Sequence, residues 1–560
     1  MKQIIECVPN FSEGNDMSII KQITTQIENV EGVKLLDVDP GKATNRTVVT
    51  FVGEPEFVIE AAFRAIKKAS EIIDMRKHKG EHPRFGATDV CPLVPVSNIT
   101  MEETVVYARK LAERVGKELN IPIYCYENAA FTTERKNLAN CRSGEYEGLK
   151  DKLQDTAWKP DFGPDEFNSR AGATAIGARD FLVAINFNLN TTSTRRANSI
   201  AFDVREKGRV KTEDGTPNGK PMKDENGEAL FEPGTLKSTK AIGWFIEEFG
   251  VAQVSMNITN ISVTPVHLAY EEVFKSALKR GVHVTGTEIV GLVPLKSMIE
   301  AGKYFLSKQQ RSIGVSEQEL IKIAIKSMGL NELYAFKPEE KIIEYVIADK
   351  KVKKLVDMTA SGFAFETASE SPAPGGGSVS AYVGALGVAL GTMVANLSSH
   401  KKGWDNRWEE FSDWAEKGQN YLNELLFLVD EDTNAFNKIM DAFKLPKSNP
   451  EEIKLRKAAI NQATKYAIEV PFKVMQTIYT SMGIIKAMAD FGNPNSASDA
   501  GVGALCACMA VKGAFLNVRI NAVNMDDKDF VLQIIQKGKE LVACSENMEK
   551  EILALVEKNL

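Results

Sequence analysis

The sequence predicts a multidomain protein with two ferredoxin-like α+β subdomains followed by an all-α helical bundle domain. A chain of 560 residues is too long for a single hydrophobic core. Strand and helix patterns alternate in β-α-β-β-α-β order in the first part, and a similar order returns in the second. From residue 355 onward, strand patterns vanish and long amphipathic helical patterns follow. The expected boundaries are 1–178 and 179–326 for the subdomains, 327–354 for a linker and 355–560 for the helical domain.

The elements of the first subdomain follow from hydrophobic periodicity and from turn residues. A turn is predicted at Asp39-Pro40-Gly41, and a helix over 54–78 ends at His78, where the helix dipole favours a cation. The other predicted helices span 17–29 and 100–119, and the predicted strands span 2–8, 33–38, 47–52, 89–96 and 121–126.

The second subdomain repeats this pattern. Its predicted strands span 181–186, 241–247, 251–258 and 282–288, and its predicted helices span 194–207 and 265–280. Residues 211–233 are polar and rich in turn formers, which predicts an exposed, functionally optional insert. The charged run at 349–354 is the candidate linker.

Bulk properties exclude several classes of function. A net charge of -6 and a pI near 5.7 disfavour nucleic acid as a partner. Seven scattered cysteines lack zinc-ligand spacing, and the first residues lack a signal peptide, so we expect a cytoplasmic protein. The uncharged stretch 371–399 is long enough to span a bilayer, but it consists mainly of small residues. We therefore expect a tightly packed core helix and no membrane span.

The stretch 77–89 contains two of the five histidines and is predicted to be a loop, because Gly80 and Pro83 both interrupt a helix. Three interpretations compete. The spacing His78-x-x-Glu81-His82 fits an inverted zinc-protease motif, but that motif needs a continuous helix. A polar turn with surface histidines is the simplest alternative. We favour a metal-free site in which His82 acts as a general acid/base, since histidine titrates near neutral pH.

A second candidate site lies in the helical half. Asp432 falls on an apolar stripe, four residues after Leu428 and four before Phe436, whereas Asp430 points elsewhere. The other members of the stripe are Leu425, Val429, Ile439, Met440 and Phe443. An inward carboxyl group tends to have a raised pKa, which suits a general acid. A buried aspartate bonded to the backbone or to an arginine remains the alternative.

A glycine-rich loop precedes the uncharged helix and could bind an anion at the helix N-terminus. It lacks the lysine of a P-loop, so nucleotide binding is not expected. A flexible hinge with Ser378 as the N-cap is the alternative. The candidate substrate-binding residues here are Gly375, Gly376, Gly377 and Ser378.

Several motifs resemble the bifunctional formimidoyltransferase-cyclodeaminase family. In the first half they are Cys7-Val8-Pro9-Asn10-Phe11-Ser12-Glu13-Gly14, His78-Lys79-Gly80-Glu81-His82-Pro83-Arg84, Asp89-Val90-Cys91-Pro92 and Gly291-Leu292-Val293-Pro294-Leu295. In the second half they are Ala373-Pro374-Gly375-Gly376-Gly377-Ser378 and Val429-Asp430-Glu431-Asp432. The resemblance covers nearly the whole chain.

The resemblance implies two steps of histidine breakdown. The formimino group of N-formimidoylglutamate moves to N5 of tetrahydrofolate, with His82 as the catalytic residue. The product then cyclises to 5,10-methenyltetrahydrofolate with release of ammonia, with Asp432 as the catalytic residue. Asp39 is our candidate for orienting His82 or holding the formimino cation. The substrates are small molecules, with polyglutamylated tetrahydrofolate as co-substrate, no tightly bound cofactor and no metal.

Two folate segments also carry over from the resemblance. The first contains Arg170-Ala171 where animal members have Ser-Trp, which puts an aromatic contact there in doubt. The segments are Gly163, Pro164, Asp165, Glu166, Phe167, Asn168, Ser169, Arg170, Ala171 and Gly172, and Gly234, Thr235, Leu236, Lys237, Ser238, Thr239, Lys240, Ala241, Ile242 and Gly243.

The family also implies a homo-oligomer built from dimers. Two alternatives concern the helical half. It could be a methenyltetrahydrofolate cyclohydrolase, which uses the same carbon and the same kind of acid/base group. It could instead serve only in oligomerisation.

Overall fold

A computed structural model describes most of the chain, which divides into two compact units. The described residues are 3–41, 45–79, 84–216, 219–247, 249–348, 354–523 and 525–560. One unit comprises 1–298 and 328–348, and the other comprises 299–327 and 349–560. The first unit is α/β and the second is helical, so the predicted order of an α/β part before an all-helical part is confirmed.

The first sheet has seven strands and mixed directions. Its central strands β3, β4, β1 and β5 lie side by side in that order, all antiparallel, and β7 and β6 extend the sheet in parallel beyond β5. The strands are β1 (Ile4–Cys7), β2 (Asn10–Phe11), β3 (Val33–Gly41), β4 (Arg46–Gly53), β5 (Thr88–Ser97), β6 (Ile123–Glu127) and β7 (Thr174–Ala178).

One local prediction for this sheet, the turn at residues 39–41, is wrong, and two strands were missed. Asp39 lies within β3 opposite Val48, because β3 continues to Gly41 as a partner of β4. The strands β2 and β7 were not predicted. β2 is a two-residue continuation of β1 beyond Pro9, and β7 is short and fully buried. Neither carries the alternating pattern that identifies a half-exposed strand.

Helices cover one face of this sheet. They are α1 (Met17–Glu28), α2 (Pro55–Ile72) and α3 (Met101–Leu119), followed by the short helices α4 (Leu138–Cys141) and α5 (Leu149–Lys152). The predicted end of α2 at His78 is wrong, because Ile73 is extended and the helix stops at Ile72. Met75 is then buried and donates its N–H to the carbonyl of Arg170 at 3.0 Å. Tertiary contacts therefore end the helix one and a half turns early, and His78 follows a turn.

The second sheet has four antiparallel strands in the order β11, β12, β8, β13, with α6 and α7 on one face. At the two ends of the predicted insert, β9 and β10 pair in antiparallel fashion. The elements are β8 (Val183–Leu189), α6 (Thr194–Val204), β9 (Arg209–Val210), β10 (Phe231–Glu232), β11 (Thr239–Ile246), β12 (Val251–Ile258), α7 (Val266–Leu278) and β13 (Val284–Val290).

The remaining elements are helical. The boundary between the two units falls within α8 (Leu295–Lys308). The others are α9 (Glu317–Met328), α10 (Pro338–Lys341), α11 (Ile343–Ile347), α12 (Ala360–Thr367), α13 (Gly376–Ser399), α14 (Trp408–Lys444), α15 (Pro450–Phe491), α16 (Ala497–Ala522) and α17 (Lys528–Glu557).

The uncharged stretch forms α13, which packs against α14, α15 and α16. Gly384 contacts Ile478, and Gly387 approaches the backbone of Gly503 so closely that neither position has room for a larger side chain. By length and composition alone, α13 and the segment 494–522 could each cross a membrane. In the most apolar stretch of α13, however, 61% is buried inside the protein, and in that of 494–522 the buried share is 50%. Small residues therefore serve close helix packing.

Candidate functional sites

His82 lies outside the described residues, as do Gly80, Glu81 and Pro83, so the site around it is known from its flanks. On one side, His78 Nε2 lies 2.8 Å from the carbonyl oxygen of Asn45. On the other side, Arg84 Nε donates to His78 Nδ1 at 3.2 Å. A guanidinium can only donate, so Nδ1 accepts and Nε2 carries the proton. His78 thus joins the two ends of the loop.

Arg84 is itself held by two carboxylates. Its Nη2 lies 2.8 Å from Glu147 Oε1, and its Nη1 lies 3.1 Å from Glu145 Oε2. The hydrogen bond to Glu147 is the main reason that the pKa of Arg84 is raised. The loop therefore returns to the sheet at a fixed, permanently charged residue.

A buried ion cluster lies where the loop enters β5. Asp89 is fully buried, and its Oδ2 lies 2.6 Å from Arg142 Nη2 and 3.2 Å from Arg46 Nη1. Arg46 Nε also donates to Asn10 Oδ1 at 2.9 Å. Burial lowers the pKa of Arg46 to about 10, although Asp89 opposes that shift. Four separate chain segments meet in this cluster, which fixes the position of residue 89 at the start of β5.

Asp39 lies on the open face of the first sheet. It is exposed, as is Asp37, whereas Val38 between them packs against the core. Because side chains alternate along a strand, Asp37 and Asp39 point to the same side. That side borders a cavity of about 460 Å³ between the two subdomains. Asp39 lies two residues beyond Asp37 on the same side of this strand, past the residues that line the cavity.

The same cavity contains a carboxyl group that sequence reasoning missed. Glu6 in β1 is only 6% exposed and lines the cavity together with Asp37 and Arg179. Burial raises the pKa of Glu6 to about 7, and the charge of Arg179 opposes that shift. A single charged residue between Ile5 and Cys7 looks like an ordinary surface position of a strand. The sequence gives no sign that a second subdomain covers that surface.

The first predicted folate segment packs directly against the loop flank. Gly172 has a φ of +68° and forms an isolated bridge with Gly86. A side chain at Gly172 would collide with the carbonyl of Phe85. Ala171 is 4% exposed and belongs to the core, so its side chain is not available for a ligand contact. The structure thus brings this segment together with the 84–89 end of the loop.

The second predicted folate segment runs into β11. Its residues alternate in exposure, with Lys240 and Ile242 exposed and Ala241 and Gly243 buried against α6. Strand register places Lys240 in the same row as Ala184 and Val290. Those two residues also line the cavity, so the exposed face of the segment belongs to the sheet face that borders it.

This sheet face is polar. Trp244 Nε1 donates to Gln253, whose amide donates to Asn188 Oδ1 at 2.6 Å, and Asn188 donates to Glu332 at 2.6 Å. The row crosses three strands and is partly buried. A polar wall of this kind suits a hydrogen-bonding substrate better than it suits a hydrophobic core.

Asp432 lies beside the N-terminus of α13. Its Oδ2 is 3.3 Å from Ser378 Oγ, and a side chain at Gly377 would collide with its carboxylate. Burial raises the pKa of Asp432, and hydrogen bonds from the side chain and backbone of Ser378 oppose that shift. The carboxyl group thus sits at the end of a helix, half-buried, held by hydrogen-bond donors.

The apolar stripe that predicted this orientation is only partly correct. Leu425, Leu428 and Val429 are buried, but Phe436, Met440 and Phe443 are 44–51% exposed. Asp430 faces another partner, because its Oδ1 accepts the N–H of Leu355 at 2.6 Å. The two aspartates therefore point in different directions, as predicted.

Ser378 is not the N-cap of α13. The cap is Gly375, and Gly376, Gly377 and Ser378 form the first turn. The Ser378 hydroxyl donates to the carbonyl of Val429 at 2.8 Å, which ties α13 to α14. Because Gly377 has no side chain, the Asp432 carboxylate can lie close to the first turn of α13.

Family models match three parts of the chain. The model described as "Formiminotransferase domain, N-terminal subdomain" matches residues 4–179, and that described as "Formiminotransferase domain" matches 184–348. The model described as "Formiminotransferase-cyclodeaminase" matches 359–540.

Similar curated proteins cover either the whole chain or one half. The formimidoyltransferase-cyclodeaminase of Gallus gallus is 41% identical over 100% of this chain and 99% of its own length. The glutamate formimidoyltransferase of Streptococcus pyogenes serotype M1 is 41% identical over 55% of this chain and 94% of its own length. The methenyltetrahydrofolate cyclohydrolase of Methylorubrum extorquens is 33% identical over 34% of this chain and 93% of its own length.

Proposed function

Because the chain belongs to the formimidoyltransferase-cyclodeaminase family, we propose that it is a bifunctional folate enzyme of histidine degradation. It transfers the formimino group of N-formimidoyl-L-glutamate to tetrahydrofolate and then cyclises the product with release of ammonia. The observation that carries this proposal is the end-to-end similarity to a protein named for both activities. The two separate clusters of acid/base groups, one in each unit, support it.

In the first reaction, N5 of tetrahydrofolate attacks the formimino carbon and a tetrahedral centre forms. The bond from that carbon to the glutamate nitrogen then breaks, and the leaving amine needs a proton. His82 is the proposed donor, and the ion cluster of Arg46, Asp89 and Arg142 supports the floor of its loop. Asp39 is the proposed partner of the formimino cation, since its exposed carboxylate lies on the same side of β3 as Asp37, which lines the cavity.

The two folate segments border the same reaction. Gly163–Gly172 adjoins the loop flank, and Gly234–Gly243 lies on the polar wall. We propose that tetrahydrofolate occupies the cavity between these walls. In the first segment, the backbone and the exposed residues make the contacts, because Ala171 is buried.

In the second reaction, N10 attacks the formimino carbon of 5-formimidoyltetrahydrofolate. The carbon–nitrogen bond to the former imino group breaks, ammonia leaves with an added proton, and 5,10-methenyltetrahydrofolate forms. Asp432 is the proposed acid/base group, which would take the proton of N10 and give one to the departing ammonia. Burial raises its pKa, which brings its acid form closer to reach at working pH. The residues Gly375, Gly376, Gly377 and Ser378 shape its surroundings, with the helix N-terminus available to anionic parts of the folate.

The organisation of the chain is proposed along the same lines. The domains are 1–178, 179–326 and 355–560, with 327–354 as linker. Both α/β subdomains are proposed to be ferredoxin-like, which is supported by their common antiparallel strand order. We propose a cytoplasmic homo-oligomer built from dimers, without a tightly bound cofactor, acting on small-molecule substrates.

The test is an absorbance assay for methenyltetrahydrofolate formed from formimidoylglutamate and tetrahydrofolate. The wild type, His82→Ala, Asp432→Ala and a mixture of both variants are compared. Each variant alone is expected to fail, and the mixture is expected to recover product through released intermediate. Full transfer activity in His82→Ala would refute the role of that loop.

The similarity to a methenyltetrahydrofolate cyclohydrolase favours a second candidate for the helical half. That enzyme name implies addition of water to the methenyl carbon, whereas a cyclodeaminase expels ammonia from it. Incubation with 5-formimidoyltetrahydrofolate and measurement of ammonia separates the two. Stoichiometric ammonia supports the cyclodeaminase. Absence of ammonia, with conversion of methenyltetrahydrofolate to the 10-formyl compound, supports the cyclohydrolase. Absence of both reactions leaves oligomerisation as the role.

A further inference from the structure

Glu6 is a buried carboxyl group whose chemistry the proposed mechanism does not use. It lies in the central strand β1, between β4 and β5, where it pairs with Val52 and Val94. Ile5 and Cys7 on either side are fully buried on the helix-covered face. Glu6 therefore points to the opposite face, into the cavity between the subdomains.

The carboxyl group of Glu6 has no hydrogen-bond donor among the residues that the structure describes. Buried polar groups normally have a partner, and a buried carboxylate without one is costly. Its surroundings contain charges but no direct bond. The charged groups that face the cavity with it are Asp37 on β3, Arg179 after β7, and Glu340 and Lys341 on α10.

The rest of the cavity lining is apolar enough to hold a flat ring. Val8 and Leu36 contribute from the first sheet, and Phe181, Leu182, Val290 and Leu292 contribute from the second subdomain. The cavity thus combines these apolar side chains with five charged ones, of which Glu6 is a buried carboxyl group. Apolar side chains can contact the faces of a ring, and a carboxylate can accept hydrogen bonds from adjacent N–H groups on its edge.

We propose that Glu6 recognises the pteridine ring of tetrahydrofolate, accepting hydrogen bonds from N3–H and from the 2-amino group of that ring. This inference rests on the proposed transferase function and assigns the orientation of the co-substrate within it. The two N–H groups lie side by side and match the two oxygens of one carboxylate. The ring then satisfies the carboxyl group that the protein leaves without a donor.

The assignment predicts a specific pH dependence. Ring binding in this mode requires the ionised carboxylate, and burial raises the pKa of Glu6 to about 7 in the unliganded protein. The KM for tetrahydrofolate should therefore fall as pH rises through about 7. The KM for formimidoylglutamate should not follow this change, because that substrate does not contact Glu6.

The experiment measures glutamate release by the full-length wild type, Glu6→Gln and Glu118→Gln. Glu118 is an exposed carboxylate on α3, paired with Arg114, and it provides the same chemical change away from the cavity. In Glu6→Gln, the KM for tetrahydrofolate should rise about 10- to 100-fold, which corresponds to the loss of charge-assisted hydrogen bonds. The KM for formimidoylglutamate should change little, and the pH dependence of the folate KM should disappear.

The outcomes separate the two proposals. If the wild type releases no glutamate, the transferase function and the inference both fail. If the wild type is active and its folate KM is flat between pH 6 and 8, the inference alone fails, and this result needs no variant. A rise in the KM for formimidoylglutamate in Glu6→Gln, with an unchanged folate KM, would instead make Glu6 a partner of the amidine.

Discussion

The region around Asp89 and the region around Asp432 both place a carboxyl group in the protein interior, but they neutralise it differently. Asp89 contacts two arginines and is fully buried. Asp432 is half-buried and is held by Ser378, whose hydrogen bonds do not overcome the effect of burial on its pKa. The two arginines supply the counter-charge that a buried carboxylate needs, so Asp89 serves the structure. Ser378 supplies no charge, so burial raises the pKa of Asp432, as suits an acid/base group.

The largest expected effect comes from removing the charge of the fully paired aspartate. Asp89→Asn keeps the shape of the side chain but removes the buried negative charge that Arg46 and Arg142 contact. We expect a loss of about 3–5 kcal/mol in the free energy of unfolding, measured by urea denaturation of the full chain. Asp441→Asn, at an exposed pair with Lys444, is the control and should leave the denaturation midpoint unchanged. Equal midpoints for both variants would contradict the structural role of Asp89.

A buried carboxyl group without a donor should respond to pH in the opposite sense to a paired one. The pKa of Glu6 is raised from 4.5 to about 7, so the folded protein binds a proton that the unfolded chain releases. The contribution of Glu6 to stability is present below pH 4.5 and is lost as pH rises through 7.

The free energy of unfolding of wild type relative to Glu6→Gln should therefore fall by about 3 kcal/mol between pH 4.5 and pH 8. Urea denaturation of both proteins at several pH values measures this difference. A constant difference across that range would show that Glu6 does not titrate as described.

The helix-end site should be sensitive to a single methyl group. In Gly377→Ala, the added carbon collides with the Asp432 carboxylate, and a small displacement of a catalytic group costs about 100-fold in rate. We expect that loss in ammonia release, with transfer to tetrahydrofolate retained. Gly483→Ala, in α15, makes the same change where no atom lies within 4 Å of the new carbon, and it should keep both activities. A full rate of ammonia release in Gly377→Ala would argue against Asp432 as the acid.

The smallest effect is expected at the neighbouring aspartate. Asp430→Asn weakens the hydrogen bond from the N–H of Leu355, which should cost about 1 kcal/mol of stability. Because Asp430 faces away from the glycine-rich turn, the rate of ammonia release should stay at the wild-type value. A rate of ammonia release that falls as far as in Asp432→Ala would remove the distinction between the two aspartates.

The sequence predicted elements better than it predicted the contacts between them. Most strands and helices of both subdomains are found within a few residues of their predicted bounds, because amphipathic patterns are local. The end of α2 was misplaced because Met75 is held by Arg170, which is distant in sequence. The partners of Asp89 lie at positions 46 and 142, and no local pattern connects three such positions.

Helical periodicity predicted the direction of Asp432 correctly but not the burial of the whole apolar stripe. Its direction follows from Leu425 and Leu428, which are buried as expected. In the later half of the stripe, Phe436, Met440 and Phe443 are exposed, whereas Ile439 packs against the bundle core. Periodicity identifies an apolar face but cannot say how far along a helix that face is covered. Glu6 is the opposite case, where a polar position on a strand proved to be covered.

The contact between Gly86 and Gly172 joins two segments that are distant in sequence. Hydrogen bonds on either side of it, from Ala173 to Phe85 at 3.0 Å and from Ala87 to Ala171 at 2.8 Å, lock their backbones together. With no side chains between them, neither backbone can shift without displacing the other. A shift of residues 171–173 would therefore displace residues 85–87, which belong to the described segment that follows His82 in the chain.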